Sequence, residues 1–584
     1  MGWQFWVDRG GTFTDLIACS PEGRLHVHKC LSRSSGTDPA VLAIRELLGL
    51  DADQPVPPDA IDGLRLGTTV ATNALLEGVG EPLLLLTNSG LADLLRIGDQ
   101  HRPDLFALRQ PVAPFLAQTV LEVSGRLDAA GHELNPLVWD DTLLEQLEAL
   151  VRQGIRQAAV VFLHAQRNPV HEQQAAEVLR SVGLTSVVCS HQVSAAPRMV
   201  PRGQTALVET AIAPVLRGYL DQVRRSLGTS TALRVMTSSG TLQATDHLLA
   251  KDTILSGPAA GMVGAVAVAR AAGFRDQPVL GFDMGGTSTD VFCVESVDDD
   301  CLRQVQEQTE LAGLQLLAAR LPIDTVAAGG GSIIRSVADR LQVGPQSAGA
   351  RPGPACYRAG GPLTITDVNL LLGRLQLDRF PTVFGPNADQ PPDPVVVREQ
   401  FNRLSASLGR SAEQLAEGAL QLTVERMADA VRRVSLHRGI DLRGGVLVAY
   451  GGASGQHACR LAEQLGLSAV LCHPLAGVLS AYGMGQAQQR LRLQRNLAAP
   501  LSDALLLSLE AQIDQLTQQA QWQLQHQGDL AADQDGVERW VGLDLRYPAS
   551  DQSLTIGWSA DLDRQAIESA FQARHQQRYG YCVD

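Results

Sequence analysis

Lysine is almost absent from this 584-residue chain. Lys29 and Lys251 are the only lysines, so 46 of the 48 basic residues are arginines. No Gly-Lys-Ser or Gly-Lys-Thr sequence occurs, which excludes a Walker-type phosphate-binding lysine. Only these two lysines could form a Schiff base, and neither lies in a sequence that suggests this chemistry. We therefore expect no part for lysine chemistry.

Clustered cysteines and long apolar runs are also missing. The nine cysteines are spread along the chain without a C-x-x-C pair. This spread argues against a disulfide framework or a clustered metal site and fits a reducing compartment. The chain contains no run of about 18 apolar residues, so we predict no transmembrane helix. Its first residues lack the features of a signal peptide. We expect a cytoplasmic protein.

Basic residues are outnumbered by acidic ones, which gives a net charge of −14. We therefore expect neither nucleic acid nor a membrane as a partner. Any phosphate ligand must be neutralised locally, by backbone N–H groups, Mg²⁺ and individual arginines. The sequence leaves the assembly state open, a homo-oligomer included.

One octapeptide pattern occurs twice, far apart in the chain. Residues 8–15 and 283–290 both read D-x-G-G-T-x-T-D. Each copy stands between two apolar, strand-like runs, which predicts a β-hairpin loop. A P-loop or a dinucleotide-binding fingerprint would instead open a helix after its glycines.

The residue types in this pattern suit a phosphate ligand. Paired glycines let backbone N–H groups approach phosphate oxygens, threonine hydroxyls add donors, and the outer aspartates can hold Mg²⁺ directly or through its waters. A single copy is equally well explained as a tight turn whose Asp and Thr satisfy the local backbone. Two copies after similar strands favour a pair of half-folds that hold one nucleotide from opposite sides.

Three further glycine-containing segments follow predicted strands. Residues 67–74 (GTTVATNA) run from a strand into a helix, where an anion or amide could bind, although ordinary capping explains the threonines almost as well. The glycines of residues 329–332 (GGGS) imply close approach of a ligand or another chain segment. Residues 451–457 (GGASGQH) lead from a strand into a helix, an arrangement that can face a nucleotide.

The motifs of the chain resemble those of the hydantoinase A/5-oxoprolinase family. Nine segments carry the resemblance in the family's order: DRGGTFTD, GTTVATNALLE, SGPAAG, FDMGGTSTD, VAAGGGS, VGPQSAGARPGPACY, TITDVN, GGASGQHAC and AGVLSAYGM. Arg9, the QHAC sequence and Leu545-Arg546-Tyr547 are more similar to 5-oxoprolinase than to N-methylhydantoinase A. The ATP-binding half of that family belongs to the actin–hexokinase–Hsp70 fold group.

This resemblance implies an α/β fold with duplicated actin/hexokinase/Hsp70-like (ribonuclease H-like) ATPase domains and an additional partial α+β region. We predict three domains: residues 1–200 with the first hairpin, 201–490 with the second, and 491–584 as a partial, truncated C-terminal domain. Family chains continue past the final YGY segment, and 5-oxoprolinases continue into a hydantoinase B-like half. In two-subunit relatives that half is a separate protein, so we expect such a half or subunit as a partner.

The activity implied is ATP-dependent hydrolysis of a lactam, 5-oxo-L-proline, to L-glutamate. This chain would supply ATP binding and lactam phosphorylation, with ATP and Mg²⁺ as cofactors. One alternative is the ATPase subunit of an N-methylhydantoinase or of an acetone or acetophenone carboxylase-like complex. Another is a non-metabolic ATP-driven switch of the actin or Hsp70 type.

Expected site residues follow from the same resemblance. The catalytic set is Asp8, Arg9, Asp283 and Asp290, of which Asp8 and Asp283 would hold Mg²⁺, and Arg9 would face the transferring group or the substrate carboxylate. The nucleotide-binding set is Gly10, Gly11, Thr12, Thr14, Gly285, Gly286, Thr287, Thr289, Gly451, Gly452 and Gly455. The substrate-side set is Thr68, Thr69, Asn73, Gly330, Gly331 and Ser332.

Three other polar residues have open roles. Asp367 and His457 could form a metal or acid–base pair, but helix capping by Asp367 is the simpler explanation. Asp324 stands where the family often has His or Asn, which puts any role carried by that residue in doubt.

Overall fold

The computed structural model describes residues 2–32, 37–51, 54–78, 80–100, 102, 104–109, 114–228, 231–298, 300–380, 382–387, 389–497, 499–526, 537–548, 550 and 553–583. The strands are β1 Trp3–Arg9, β2 Phe13–Cys19, β3 Leu25–Leu31, β4 Ile61–Thr68, β5 Leu83–Asn88, β6 Thr119–Leu127, β7 Glu133–Val138, β8 Gln157–Val161, β9 Ser186–Cys189, β10 Ala232–Met236, β11 Leu242–Ala244, β12 Val279–Met284, β13 Thr289–Val294, β14 Thr309–Leu311, β15 Leu314–Leu316, β16 Asp324–Val326, β17 Ser332–Val337, β18 Arg340–Ser347, β19 Val446–Tyr450, β20 Ala469–Cys472, β21 Gly542–Leu545 and β22 Leu554–Gly557.

The helices are α1 Pro39–Leu47, α2 Val70–Leu76, α3 Leu94–Ile97, α4 Asp141–Arg152, α5 Val170–Ser181, α6 Ser190–Val193, α7 Met199–Leu227, α8 Ser256–Ala271, α9 Ile365–Leu371, α10 Pro394–Leu408, α11 Ala412–His437, α12 Ala458–Leu465, α13 Leu479–Gln486, α14 Asp503–His526 and α15 Arg564–Tyr579. No helix in the described part of the chain has the length and apolarity needed to cross a membrane.

Two of the sheets share one strand arrangement. The first sheet has the order β11-β10-β4-β1-β2-β3, and the second has the order β16-β13-β12-β19-β20. In each, three strands form an antiparallel meander (β1, β2, β3 and β12, β13, β16), and two later strands run parallel to the first of them. This repeat confirms the predicted pair of ribonuclease H-like half-folds.

A third sheet, of five strands in the order β7-β6-β5-β8-β9, forms within residues 83–189. Its central strand β5 is buried along its whole length, as a parallel strand covered on both faces should be. That these strands form a sheet of their own was not predicted. Helix α7 lies between this sheet and the first one, because one buried cluster contains residues of all three, among them Phe5, Leu85 and Leu207.

Helices α8 and α13 join the two half-folds. Their side chains share a buried cluster with Trp6 and Ile17 of the first sheet and with Phe292 and Val448 of the second. The two helices pack closely because α8 is rich in Gly and Ala. A methyl group at Gly483 of α13 would lie 1.9 Å from the carbonyl oxygen of Ala260 in α8, so only glycine fits there.

The described residues beyond 490 form α14, α15 and the two-stranded sheet of β21 and β22, which matches the predicted α+β composition. The predicted domain boundaries stay predictions. Strands β10 and β11, which belong to the first sheet, lie beyond residue 200.

Candidate active site

The two octapeptides form matching hairpins. Asp8 lies opposite Asp15 across β1 and β2, and Asp283 lies opposite Asp290 across β12 and β13. Each loop is closed by one backbone hydrogen bond of 3.0 Å, from Gly10 N to Phe13 O and from Gly285 N to Ser288 O. The predicted hairpin loops are thereby confirmed.

Both loop tips are accessible. Gly11, Thr12, Gly286 and Thr287 are exposed. A methyl group added at Gly11 or Gly286 would meet no atom within 4 Å. Space for a ligand therefore lies directly at the backbone of each tip, where phosphate oxygens were predicted to bind.

Thr14 and Thr289, which belong to the predicted nucleotide-binding set, are buried beneath the loops. Thr14 Oγ1 lies 3.0 Å from Ser32 Oγ, which in turn donates to the carbonyl oxygen of Gly10 at 2.6 Å. Thr289 Oγ1 donates to the carbonyl oxygen of Ala328 at 2.5 Å. These hydroxyls hold the loops in shape from below.

The carboxylates of the two hairpins lie close enough to interact electrostatically. Burial and the charge of Asp15, partly offset by Lys29 and by a hydrogen bond from Ser480, raise the pKa of Asp8 to about 7. Burial raises the pKa of Asp283 to about 7 as well, together with the charge of Asp290 and the charges of Asp8 and Asp15. Carboxylates of the first hairpin thus act on a carboxylate of the second, so Asp8 and Asp283 share one electrostatic environment.

The second aspartate of each octapeptide, Asp15 or Asp290, is called the outer aspartate, and each is bonded to a residue of the third strand of its meander. Asp15 Oδ1 accepts from Lys29 Nζ at 2.5 Å, and Asp290 Oδ1 accepts from Thr325 Oγ1 at 2.6 Å. Burial raises the pKa of both aspartates. Lys29 and Thr325 were missed by sequence reasoning, because only the pairing of β3 and β16 with the hairpins brings them to the site.

Glycines leave room around the first aspartates of the two octapeptides, Asp8 and Asp283, whose side chains are the inner carboxylates of the hairpins. A methyl group at Gly451 would lie 2.1 Å from Asp283 Oδ1, and Gly451 has a φ of +84°. Methyl groups at Gly67 and Gly257 would lie 3.4 Å and 3.6 Å from Asp8 Oδ1. Gly257 is in the first turn of α8, so the positive end of that helix lies beside Asp8. Gly452 and Gly455 are exposed and open, next to Gly451.

The triple glycine supports the second hairpin directly. Gly330 N donates to Gly285 O at 3.1 Å, and Gly331 N donates to Gly286 O at 2.6 Å. Ser332 Oγ accepts from Gly329 N at 3.0 Å. Gly330 and Gly331, which were predicted on the substrate side, are therefore in contact with the second hairpin loop.

The predicted substrate residues after β4 lie beside the first hairpin. Thr68 is buried, and its hydroxyl accepts from Val70 N at 3.2 Å, which supports the capping alternative for Thr68; the N-cap residue Thr69 makes no side-chain capping bond. Thr69 binds the carbonyl oxygen of Arg9 through its backbone N–H at 3.2 Å and its hydroxyl at 3.3 Å. Asn73 Nδ2 donates to Thr69 Oγ1 at 3.4 Å.

The guanidinium group of Arg9 is engaged by other protein groups. Its Nε donates to Asp38 Oδ2 at 2.9 Å, and it lies over the Tyr219 ring, 5.0 Å from the centroid. Asp38 also caps helix α1 through Ala40 N. In the structure Arg9 is therefore linked to α1 and α7.

Asp367 lies in a structural network. Its carboxylate accepts from Ala355 N, Cys356 N, Thr364 N and the Thr364 hydroxyl at 2.8–3.0 Å. The N-cap of α9 is Thr364, and Asp367 is the third residue of its capping box, accepting from the Thr364 N–H; Asp367 therefore caps the helix from within its first turn and not as the N-cap residue. Burial and the charges of Arg374 and Arg460 lower the pKa of His457 to about 4, and its Nε2 lies 3.3 Å from Asn369 Nδ2. Asp324 is paired with Arg438 at 3.0 Å.

One group of metal-ligand residue types lies in the described part of the chain outside the hairpins: Glu172, Cys189 and His191. Glu172 already accepts hydrogen bonds from Phe162 N, Ser190 Oγ, His191 N and His191 Nδ1 at 2.5–2.9 Å. Because these bonds occupy both carboxylate oxygens, we assign the group to packing of the third sheet.

Two protein-family models match most of the chain. One, described as hydantoinase/oxoprolinase, matches residues 202–493. The other, described as the hydantoinase/oxoprolinase N-terminal region, matches residues 4–183.

Curated relatives align with nearly the whole chain. The 5-oxoprolinase PfmaA of Pestalotiopsis fici is 36% identical, with 98% of this chain and 47% of the relative covered. The 5-oxoprolinase 1 of Arabidopsis thaliana is 35% identical, with 99% and 48% covered. The caprolactamase subunit alpha of Pseudomonas jessenii is 32% identical, with 98% and 84% covered. The chain thus spans about half the length of the 5-oxoprolinases it matches.

Solved structures share the fold. The crystal structure of ATP-dependent caprolactamase from Pseudomonas jessenii has a TM-score of 0.82 at 28% identity and covers 100% of this chain and 85% of that chain. A nucleotide-free acetone carboxylase structure has a TM-score of 0.72 at 24% identity, with 99% and 84% covered.

Proposed function

The chain belongs to the hydantoinase/oxoprolinase family, and we propose from this premise that it binds ATP between its two hairpins to phosphorylate a lactam. The observation that carries the proposal is the pair of matching hairpin loops, in which the charge of Asp8 acts on Asp283. Loops of this kind place backbone donors around phosphate oxygens on two sides. Phosphoryl transfer depends chiefly on such positioning and on charge neutralisation.

The substrate we propose is 5-oxo-L-proline, hydrolysed to L-glutamate. Support comes from the names of the two 5-oxoprolinases, which are more similar in sequence than the caprolactamase subunit. Because this chain aligns with only about half of each of them, we propose that a hydantoinase B-like half or subunit completes the reaction.

Phosphate binding is assigned to Gly10, Gly11, Thr12, Gly285, Gly286 and Thr287, whose backbone lies at the two tips. Gly451, Gly452 and Gly455 would line the adenosine side. Thr69, Asn73, Gly330 and Gly331 flank the loops and would face the lactam. The backbone of these residues is exposed or partly exposed, except that of Gly330 and Gly331, which is buried against the second hairpin.

Mg²⁺ would be held by Asp8 and Asp283. The donors fit, because carboxylate oxygens are the ligands that Mg²⁺ prefers, and a bound divalent cation would favour the ionised forms that burial and neighbouring aspartates disfavour. When bound, the ion would neutralise charge on the phosphates. Asp290 would position the site through its bond to Thr325.

The proposed reaction transfers one phosphoryl group to the lactam and then consumes two water molecules. The amide oxygen of the lactam bonds to the terminal phosphorus of ATP, and the bond to the bridging oxygen breaks with its electron pair on ADP. One water then opens the ring C–N bond of the activated amide, and a second releases inorganic phosphate. The role of this chain is to align the amide oxygen and the phosphorus for the first of these steps.

A second candidate is hydrolysis of a different lactam. It is favoured by the caprolactamase subunit alpha, 84% of which aligns with this chain, in contrast to about half of each 5-oxoprolinase. The same hairpins would serve it, and only the substrate pocket would differ.

ADP release in the presence of MgATP separates these candidates. The purified chain is incubated with 5-oxoproline, caprolactam, hydantoin, acetone or no addition, with and without a hydantoinase B-like subunit. We expect stimulation by 5-oxoproline, with glutamate formed once the subunit is present. Stimulation by caprolactam alone would favour the second candidate. A flat response to all compounds with the subunit present would refute lactam phosphorylation.

A further inference from the structure

The two half-folds differ at one position of the candidate site. In each, the third strand places a residue opposite the outer aspartate of the hairpin, Lys29 opposite Asp15 and Thr325 opposite Asp290. Both residues bond to that aspartate, at 2.5 Å and 2.6 Å. The first half therefore has a cation where the second has a neutral hydroxyl.

The charge of Lys29 reaches the inner carboxylates of both hairpins. It lowers the pKa of Asp8 and also that of Asp283 in the other half-fold. The two hairpins carry four aspartates, and a nucleotide would add the charge of its phosphates. Arg9, the basic residue inside the first hairpin, is paired with Asp38. Lys29 is thus placed to supply positive charge to an anion bound at the two hairpins.

The ammonium group of Lys29 is accessible to a ligand. Its side chain is 45% exposed, whereas that of its partner Asp15 is 18% exposed, so a bound anion can reach the ammonium while the pair with Asp15 is kept. The ammonium nitrogen also lies 5.2 Å from the centroid of the Phe13 ring at the hairpin tip. A flexible stem with three rotating donors suits a cation that binds a phosphate as a point charge.

We propose that Lys29 is a catalytic residue that binds the terminal phosphate of the nucleoside triphosphate held between the hairpins. This inference rests on the proposed function. During transfer the bond from the attacking oxygen to phosphorus forms while the bond to the bridging oxygen breaks, and the electron pair stays on the diphosphate. Lys29 keeps its proton and stabilises the charge on the oxygens of the group being transferred.

The test compares Lys29→Met with Lys29→Arg in the full chain, with the hydantoinase B-like subunit present. Since a diphosphate lacks the group that Lys29 binds, Lys29→Met should leave MgADP affinity within about threefold. It should weaken the affinity for a non-hydrolysable MgATP analogue about tenfold and lower kcat about 100-fold or more. Lys29→Arg, which keeps the charge, should recover part of the lost kcat.

Arg24→Met is the matched control, because it removes one positive charge from the exposed turn just before the same strand. It should leave kcat and both affinities unchanged. Lys29 would be excluded as a phosphate ligand by a Lys29→Met variant with wild-type kcat, or by one that loses affinity for both nucleotides equally. Wild-type protein that binds neither nucleotide would refute the proposed function itself, and the assignment of Lys29 with it.

Discussion

At the scale of single residues, Asp8 and Asp283 lie in surroundings that disfavour their ionised forms. Burial raises the pKa of each to about 7, together with the charge of Asp15 on Asp8 and the charges of Asp290, Asp8 and Asp15 on Asp283. Residues selected only for stability would not be arranged in this way. Under the proposed function, a bound divalent cation would favour the ionised forms of both.

The Asp283→Asn variant tests whether the raised pKa of Asp283 lowers the stability of the folded chain. The carboxyl of Asp283 keeps its proton up to about pH 7 in the folded chain and releases it near the ordinary value of 3.8 when unfolded. Its contribution to the free energy of unfolding is therefore complete below about pH 4 and is lost as the pH rises through 7. Because Asn mimics the protonated form, the variant should be more stable than wild type at pH 8, by on the order of 1 kcal/mol.

Urea unfolding without nucleotide at pH 5 and pH 8 measures this difference, which should shrink at the lower pH. Asp441→Asn is the control, because Arg443 lowers the pKa of the exposed Asp441 to about 2, so its removal should bring no gain. Turnover of Asp283→Asn should still fall at least about 100-fold. Stability and turnover that fall together at pH 8 would contradict the role given to Asp283.

Gly451 is a second test at this scale. An added methyl group would lie 2.1 Å from Asp283 Oδ1, so Gly451→Ala should displace the carboxylate and weaken MgADP binding at least about tenfold. Gly409→Ala has a similar backbone strain, with a φ of +64° and no atom within 4 Å. Titration calorimetry should show normal affinity in Gly409→Ala. Equal affinities in the two variants would mean that Gly451 does not shape the site.

The residues of the site were only partly predictable. Asp8, Asp283 and the tip glycines follow from the repeated octapeptide, because their spacing is local. Lys29 and Thr325 were missed because sequence pattern does not say which strand pairs with the outer edge of each hairpin. Thr14 and Thr289 were predicted as ligand-binding, and their burial beneath the loops depends on Ser32 and Ala328, which are distant in sequence.

At the scale of elements, the layer of α8 and α13 fixes the position of the two hairpins relative to each other. These helices contact both sheets, and Ser480 of α13 donates to Asp8. Gly483→Ala should therefore lower stability by about 1–3 kcal/mol through overpacking against Ala260. Gly218→Ala, in a helix position with no atom within 4 Å, should be neutral or stabilising. Thermal unfolding of both variants decides this, and an unchanged melting temperature in Gly483→Ala would count against close α8–α13 packing.

Most elements were predictable where periodicity and caps agree. Helix α1 begins at Pro39 after Asp38, whose side chain caps it, as the sequence indicates. Helix α9 begins earlier than expected because Thr364 and Asp367 form a capping box. The third sheet was not predicted because alternating strands and helices do not reveal where one sheet ends and the next begins.

At the scale of the whole molecule, both hairpins belong to this one chain. Nucleotide binding should therefore not depend on the proposed second half. Addition of a hydantoinase B-like subunit should raise lactam-dependent turnover at least about tenfold while it changes MgADP affinity less than about threefold. Calorimetry with and without the subunit measures this. A chain that binds MgADP only with the subunit would show that part of the nucleotide site lies outside it.

The most direct measurement of the central claim is a double-mutant cycle of MgADP binding with Asp8→Asn and Asp283→Asn. If both carboxylates hold one ion, each single variant should lose about 10- to 100-fold in MgADP affinity. The double variant should then lose little more affinity than the single variant that binds more weakly. Wild type should bind one nucleotide per chain. Fully multiplicative losses, or two nucleotides per chain, would show that the hairpins act as separate sites and would contradict the claim.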